Sequence, residues 1–155
     1  MAQINTKKLR MLSESDALRE SLLGAGIGVS GGALCGRAVY SEEDILFLRT
    51  TEPDTPLILI RPDTVPDDVG ILLQVDGILT ARGGATSHAA VTIPQLDKVG
   101  VVGFNKLRVF ENKGYSTIDS HTIEKGDFIC IDGWSGMVYL GNHNYEPEEA
   151  LAFSL

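Results

Sequence analysis

The chain has 155 residues, of which 43% are hydrophobic, so it can bury a core and has the size of one ordinary domain. Its formal net charge of -8 argues against a nucleic acid or an anionic membrane surface as partner, because both require a surplus of Lys and Arg. No apolar run approaches the roughly 20 residues of a membrane-spanning helix. Residues 1–10 lack the apolar segment of a secretion signal, so we expect a cytoplasmic protein.

The two cysteines, Cys35 and Cys130, lie far apart in the sequence and belong to no CxxC pair or Cys/His pattern with metal-ligand spacing. Cysteine is among the most buried residue types. In a cytoplasmic chain this usage predicts two free, buried thiols in preference to a disulfide or a metal site.

The first 36 residues divide into two segments of different composition. Leucines in residues 5–23 recur at spacings close to the helical period, and Gly24 and Gly26 follow as stop signals. This segment therefore predicts a helical lead-in. Residues 24–36 are rich in Gly and other small residues, which predicts tight turns and close backbone packing.

Short β-rich and helical segments alternate through the middle of the chain. The predicted strands cover residues 37–40, 57–60, 77–80 and 99–102, and the predicted helices cover residues 65–73 and a segment that opens at Thr86. This alternation predicts a partly parallel sheet with helices against it. In the last third, glycines separate short strands at 128–131 and 137–140, which predicts β-hairpins, and residues 142–155 are expected to form a loose end or a short helix.

The segment 77–103 holds the most informative combination of residues. A strand end is followed by a Gly-Gly turn, two helix-capping residues, Thr86 and Ser87, and then His88 in the first helical turn. The free N–H groups of a helix start favour negative charge, so this position suits a phosphate or a phosphorylated side chain. From the residues alone, His88 is equally well interpreted as an ordinary side chain near a helix cap.

Residues 77–91, GILTARGGATSHAAV, closely resemble the active-site signature of pyruvate phosphate dikinases, pyruvate water dikinases and the phosphotransferase-system Enzyme I. The histidine of the Thr-Ser-His run is phosphorylated in those enzymes. The segments 28–40, 60–80 and 124–141 also resemble the flanking parts of this family of phosphoenolpyruvate-utilising enzymes, so the match covers residues 24–141. The resemblance implies an α/β fold, namely a swivelling β/β/α phosphohistidine domain with a mixed sheet and packed helices.

The resemblance also implies roles for the residues around the signature. His88 would accept the phosphoryl group, and no metal is expected on it. Five neighbours would support the phosphate through hydrogen bonds, charge or close backbone approach: Arg82, Gly83, Gly84, Thr86 and Ser87. Capping alone explains Thr86 and Ser87 equally well, and Arg82 can also be interpreted as a solvated cation in a turn.

In the family, a nucleotide-binding domain phosphorylates the histidine, and a separate domain then exchanges the phosphoryl group with pyruvate. We therefore expect the partners to be nucleotide-binding and phosphoenolpyruvate- or pyruvate-binding domains or subunits, with ATP and Mg²⁺ bound there and no cofactor in this chain. A phosphotransferase domain of this kind is not expected to turn over alone. The expected division is a lead-in at 1–23, the swivelling domain at 24–142 and a tail at 143–155, and a homo-oligomer stays open.

A departure from the family pattern keeps other interpretations open. The family usually continues the site helix with an Ala-Arg pair, whereas this chain reads Thr92-Ile93-Pro94, and Pro94 should end or kink the helix near Ile93. This departure favours an alternative function as a non-catalytic docking or regulatory module that keeps the swivelling fold. A weaker alternative is a subunit of an unrelated enzyme such as a dehydratase. Of the remaining candidates, His121 and His143 are predicted at the surface, and Trp134 is predicted to pack on the core.

Overall fold

The computed structural model describes residues 11–146, and within them it shows a mixed α/β fold of three layers. Helices form the first layer, a large mixed sheet the second, and a small antiparallel sheet the third. The expected β/β/α arrangement is therefore confirmed. In the same stretch of chain, no helix is long and apolar enough to cross a membrane.

The central layer is a sheet of eight strands. They are β1 (Leu22–Ala25), β2 (Ile27–Ser30), β3 (Ala33–Val39), β4 (Leu57–Arg61), β5 (Gly77–Thr80), β6 (Val99–Val102), β10 (Phe128–Asp132) and β11 (Met137–Leu140), and they lie in the order β1-β11-β10-β3-β4-β5-β6-β2. The four strands β3 to β6 run parallel to one another, and the remaining pairings are antiparallel. The predicted partly parallel sheet is thus confirmed; the strand predicted at 37–40 begins four residues earlier, at Ala33, and the other predicted strands shift by at most one residue at an end.

The three connections between the parallel strands carry helices, because parallel neighbours need a crossover. A short helix α1 (Asp16–Glu20) precedes β1, and the crossover helices are α2 (Glu42–Thr51), α3 (Val69–Leu72) with a 3-10 turn before it (Pro66–Asp68), and α4 (His88–Gln95). Strand β4 shows how the sheet serves both layers. Leu57 and Leu59 pack against residues of α2, α3 and α4, whereas Ile58 and Ile60 pack into the opposite cluster, as the two-residue period of a strand requires.

The third layer is the antiparallel sheet β7 (Leu107–Phe110), β8 (Tyr115–Ile118) and β9 (His121–Glu124). Buried side chains from it, among them Ile118 and Ile123, complete the cluster on the helix-free face of the large sheet. Tyr40 ties the two sheets together, because its hydroxyl donates to the Ile123 carbonyl at 2.6 Å and lies 2.8 Å from Ser116 Oγ.

The lead-in prediction was too helical. Only Asp16–Glu20 is helical among the described residues of this segment, and Leu22 and Leu23 already belong to β1. These residues form a strand because pairing with β11 buries Leu23 in the core between the sheets. Tertiary burial outweighs a weak local preference for helix. Residues 5–10 of the predicted helix and residues 147–155 of the tail lie outside the described residues.

The glycine-rich segment at 24–36 forms strand rather than a series of tight turns, since β1, β2 and the start of β3 occupy most of it. The predicted close packing is confirmed. A Cβ atom on Gly36, for example, would lie 2.6 Å from the Pro56 carbonyl oxygen, so the backbone of β3 meets the approach to β4 without room for a side chain.

The prediction of two free thiols was wrong, because Cys35 and Cys130 form a disulfide. Both residues are buried and stand directly opposite each other on the antiparallel strands β3 and β10. Their Cα atoms are 4.0 Å apart across 95 residues of sequence. Sequence spacing cannot show such a pair, since the register of two distant strands brings it together.

Trp134 does not pack on the core as predicted, because 53% of it is exposed. It lies in the turn between β10 and β11, where its backbone N–H and that of Ser135 both donate to Asp132 Oδ1. The turn is therefore held by the aspartate, and the indole is left at the surface.

Candidate phosphohistidine site

The site lies where the parallel strands β4 and β5 end, and we call this region, with Arg61, Thr64 and the segment 80–88, the carboxyl edge. Polar groups of successive strand ends meet at such an edge in α/β sheets. The loop after β5 is fixed to the loop after β4, because the Arg82 N–H donates to the Pro62 carbonyl at 2.9 Å. Thr80 strengthens the turn by donating its hydroxyl to the Arg82 carbonyl at 2.7 Å.

Helix α4 begins at His88, with Ser87 as its N-cap. The extended backbone of Ser87 lets its hydroxyl accept from the Ala90 N–H at 3.3 Å, which satisfies one of the free donors at the helix start. The helix was predicted to open at Thr86, two residues earlier. Ala89, Ala90 and Ile93 are buried against the sheet, so packing of this face holds the first turn in place.

Gly83 and Gly84 support the site to different extents. Gly83 has φ +108, and a Cβ atom on it would lie 2.9 Å from Ser87 Oγ, so this position needs glycine for both its backbone and its space. The loop also presses against β6, because a Cβ on Gly103 would lie 2.5 Å from the Gly83 carbonyl oxygen. Around Gly84, in contrast, no atom of the described chain lies within 4 Å of the position that a Cβ atom would take.

The two nitrogens of His88 have different surroundings. Nδ1 lies 3.3 Å from the hydroxyl oxygen of Thr92, one helical turn further on. Nε2 is buried and has no hydrogen-bond partner among the described residues. The residue as a whole is partly exposed. The imidazole is thus held through one nitrogen, while the other is left with its hydrogen-bonding capacity unused.

Arg82 and Thr86 are both partly or fully exposed. Within residues 11–146, neither side chain has a hydrogen bond or an ion pair to another residue. They flank Gly83 and Gly84 in the loop that leads to His88, so both are free to contact a group brought to the site from outside. The predicted supporting residues are therefore gathered in one loop, and each keeps its role as a prediction.

Sequence reasoning missed two polar residues at the carboxyl edge, Arg61 and Thr64. The Arg61 guanidinium pairs with Glu111 at 2.9 Å, but its Nε and the Thr64 hydroxyl are buried and unpaired within the described chain. Arg61 is the last residue of β4, and Thr64 follows three residues later. The rule that functional polar groups follow the ends of parallel strands could have found them.

Thr92 was noticed only as a departure from the family pattern, although a spacing of four residues places it beside His88 on a helix. The neighbouring expectation was that Pro94 would kink or end α4 near Ile93; the helix ends at Gln95, two residues after Ile93, with Pro94 in its last turn. Pro94 is exposed, and the last turn is closed by the Leu96 N–H donating to the Thr92 carbonyl at 3.0 Å.

The other two histidines differ in exposure. His121 is exposed on β9, as predicted, whereas His143 is partly buried, with its Nε2 lying 3.0 Å from Ser21 Oγ and 2.8 Å from the Leu140 carbonyl oxygen. No group of three or more His, Cys, Asp or Glu side chains within residues 11–146 could hold a metal ion. A depression of about 340 Å³ lies beside α2 and the β9–β10 turn, and none of its lining residues belongs to the His88 loop.

Comparison with known proteins identifies the family. The family model described as "PEP-utilising enzyme, mobile domain" matches residues 53–136, which include the carboxyl edge and α4. The chain belongs to this family. It is 38% identical over 129 residues to a chloroplastic pyruvate, phosphate dikinase of Arabidopsis thaliana, and the match covers 83% of this chain and 13% of the dikinase.

Bacterial relatives give the same result. The chain is 37% identical to the pyruvate, phosphate dikinase of Rhizobium meliloti over 79% of its length, and 41% identical to that of Rickettsia felis over 75%. These matches cover 14% and 13% of the respective dikinases. A solved structure of Enzyme I aligns with 64% of this chain and with 34% of its own chain at 25% identity, with a TM-score of 0.38. The chain therefore spans about one seventh of the dikinases, which have other domains besides this one.

Proposed function

We propose that this chain is a phosphoryl carrier, which receives a phosphoryl group on His88 and passes it between nucleotide and pyruvate or phosphoenolpyruvate sites on other domains or chains. The observation that carries the proposal is the unpaired Nε2 of His88 at the first residue of a capped helix. A buried polar atom without a partner costs free energy. Its retention in a mobile domain of phosphoenolpyruvate-utilising enzymes is accounted for if that nitrogen forms a bond during function.

The chemistry is a displacement at phosphorus. The lone pair of the imidazole nitrogen attacks the phosphorus atom of the donor, a P–N bond forms, and the P–O bond to the leaving group breaks with its electrons going to that oxygen. The reverse step regenerates the imidazole when an enolate oxygen of pyruvate attacks. The dianionic phosphoryl group would lie near the free N–H groups of the first turn of α4, where negative charge is favoured by about 0.3–1 kcal/mol.

Residues in the loop before His88 would assist this transfer in the proposed roles. Gly83 keeps the backbone close, and Ser87 fixes the helix start. Arg82 and Thr86 supply an unpaired cation and an unpaired hydroxyl to phosphate oxygens. The ion Mg²⁺ and the nucleotide would be bound by the partner domains, which in the dikinases account for most of the chain length.

The same proposal includes the boundaries and the setting of the domain. The carrier would span residues 24–142, with a lead-in before it and a tail after it, and it would act in the cytoplasm. A carrier group of this kind must be presented to two different catalytic sites, so it needs an accessible edge rather than a deep pocket. His88 is partly exposed and follows a loop in which Arg82, Gly84 and Thr86 are exposed, which supports this mode of action.

The proposal is tested by incubating the full chain with the nucleotide-binding domain of a dikinase and ATP radiolabelled in its phosphates. We expect label on the wild-type chain that is lost in acid and kept in base, because a phosphoramidate hydrolyses in acid. His88→Ala should abolish the label and keep the fold, since a partly exposed ring contributes little to packing. His121→Ala, which alters an exposed histidine on β9, is the matched control and should label as wild type.

Two results would contradict the carrier proposal. Label that persists in His88→Ala would place the phosphoryl group elsewhere. The other result is a wild-type chain that stays unlabelled under conditions that label the swivelling domain of the dikinase itself. That result would favour the alternative of a docking or regulatory module. The unusual Thr92-Ile93-Pro94 run in α4 supports this alternative.

A further inference from the structure

The hydroxyl of Thr92 is used differently from the hydroxyls of other helical threonines in this chain. On α2, Thr50 and Thr51 donate to the carbonyls four residues earlier, at 2.8 and 2.9 Å. This is the usual way in which threonine satisfies its hydroxyl within a helix. The Thr92 hydroxyl instead lies 3.3 Å from Nδ1 of His88, so its position is set by the imidazole rather than by the helix backbone.

We infer that Thr92 is a positioning residue for His88, and that its hydroxyl accepts a hydrogen bond from Nδ1–H. This inference rests on the proposed carrier function. A neutral imidazole has one N–H and one lone pair, and the partner of one nitrogen decides which tautomer is present. If Nδ1 carries the proton, Nε2 carries the lone pair. Thr92 therefore selects Nε2 as the nitrogen that can attack phosphorus.

The opposite arrangement leaves no nucleophile. A Thr92 hydroxyl that donated to Nδ1 would place the ring proton on Nε2, which is buried without an acceptor among the described residues. Nδ1 would then accept from the Thr92 hydroxyl and Nε2 would carry the proton, so neither would have a free lone pair. The buried Nε2–H would also be unsatisfied, which is costly. The arrangement with Nδ1–H as donor avoids the unsatisfied N–H and keeps one lone pair free.

The role of Thr92 extends through the transfer step. When the Nε2 lone pair forms the P–N bond and the donor P–O bond breaks, the proton on Nδ1 stays in place and the ring acquires positive charge. The Thr92 hydroxyl oxygen then accepts a hydrogen bond from a charged donor, and such bonds are stronger than neutral ones. Thr92 is thus expected to stabilise the phosphorylated ring more than the free ring.

The test uses the unphosphorylated full chain first, with His121 and His143 as internal references. Long-range ¹H–¹⁵N spectra of the rings report which nitrogen carries the proton. We expect the Nδ1–H tautomer for His88 in wild type and in Thr92→Ser, which keeps the hydroxyl. Thr92→Val, which has nearly the same shape but offers no acceptor for Nδ1–H, should lower the population of the Nδ1–H form relative to wild type. Thr50→Val is the matched control on α2 and should leave His88 unchanged.

The second measurement is chemical phosphorylation with potassium phosphoramidate, which needs no partner domain. We expect ³¹P spectra to show phosphate on Nε2 of His88 in wild type and in Thr92→Ser. In Thr92→Val the rate should fall by roughly tenfold, the size of one hydrogen bond to a charged group, while Thr50→Val should react as wild type.

The inference is overturned if wild-type His88 carries its proton on Nε2, or if Thr92→Val changes neither the tautomer nor the rate. These outcomes are distinct from a failure of the carrier proposal. That failure would appear as a correctly positioned Nδ1–H ring which phosphoramidate labels but the nucleotide-binding domain and ATP do not.

Discussion

Buried polar groups are treated differently in two regions of the molecule. Between the two sheets, the Tyr40 hydroxyl is bonded to both Ser116 and the Ile123 carbonyl, so the groups that join the layers satisfy one another. At the carboxyl edge, Arg61 Nε, Thr64 Oγ1 and His88 Nε2 are buried without partners within residues 11–146. In the first region the buried polar groups are hydrogen-bonded, as expected of a structural core. In the second region, buried donors and acceptors remain unpaired within the described chain.

This difference indicates that the two regions have different roles in the fold. An unsatisfied buried polar group costs about 1–3 kcal/mol, so three of them in one region would be lost unless they served another purpose. Under the proposed function, the unpaired groups at the ends of β4 and β5 would be satisfied when a phosphoryl group or a partner domain is present, and the satisfied contacts elsewhere would supply the stability that this requires.

The largest effect is expected for Gly83→Ala. Gly83 has φ +108, and a Cβ atom would lie 2.9 Å from Ser87 Oγ, so alanine strains the loop by about 1–3 kcal/mol and displaces the N-cap of α4. We expect phosphorylation of His88 to fall well over tenfold, a fall that corresponds to more than about 1.4 kcal/mol. The rate of labelling with phosphoramidate and the free energy of unfolding in urea are the measurements.

Gly84→Ala is the matched control, since the same change one residue later adds a methyl group where nothing in the described chain lies within 4 Å. It should leave stability near wild type, and any loss of labelling should be much smaller than in Gly83→Ala. Equal losses in the two variants would show that the loop tolerates no side chain at either position. The distinction between a glycine that holds the site and one that is merely adjacent would then be wrong.

The sequence predicted most of the parallel region correctly. Strands at 57–60, 77–80 and 99–102 were predicted from hydrophobic runs bounded by Gly and Pro, and the structure changes their ends by no more than one residue. Such runs can be recognised because a strand buried on both faces needs apolar residues at every position. The His88 helix could be predicted for a different reason, since Thr86 and Ser87 are typical capping residues before an apolar run.

The errors concern contacts between distant parts of the chain. The disulfide between Cys35 and Cys130 depends on the pairing of β3 with β10, and the strand at Leu22–Ala25 depends on pairing with β11. Neither pairing leaves a local pattern. The candidate site shows the same limit at a finer scale, because Gly83 and Gly84 look alike in sequence and differ only in what surrounds them.

An intermediate effect is expected for Tyr40→Phe, between the two sheets, where the buried polar groups are hydrogen-bonded. Removal of the hydroxyl leaves Ser116 Oγ and the Ile123 carbonyl without this partner, which should reduce the free energy of unfolding by about 1–3 kcal/mol. Labelling of His88 should be unchanged, since Tyr40 touches the second sheet rather than the carboxyl edge. Tyr115→Phe is the control, because its ring stacks on Phe110 with centroids 4.9 Å apart and loses no such bonds.

The same variant predicts a change in pH dependence. Burial raises the pKa of the Tyr40 phenol above its ordinary value of 10.0, with nearby carboxylates adding to the shift. The unfolded chain therefore releases this proton before the folded chain does, and the stability contributed by neutral Tyr40 is present below about pH 10 and lost as the pH rises further. Urea denaturation across this range should show a shallower alkaline loss for Tyr40→Phe. An unchanged loss would mean that Tyr40 ionises equally in both states.

The smallest effect is expected for the difference in chemical modification rate between His88 at the carboxyl edge and His121 on the small sheet. Diethyl pyrocarbonate reacts with an accessible imidazole lone pair. His121 is exposed on the small sheet, whereas His88 has Nε2 buried and Nδ1 held by Thr92. We expect His88 to react several times more slowly, because it must first open, and an opening that costs about 1.4 kcal/mol reduces the reactive fraction about tenfold. Mass spectrometry of peptides sampled over time gives the two rates in one experiment. If His88 reacts as fast as His121, the ring is open in the resting chain, and the contrast between the buried Nε2 of His88 and an exposed imidazole is wrong.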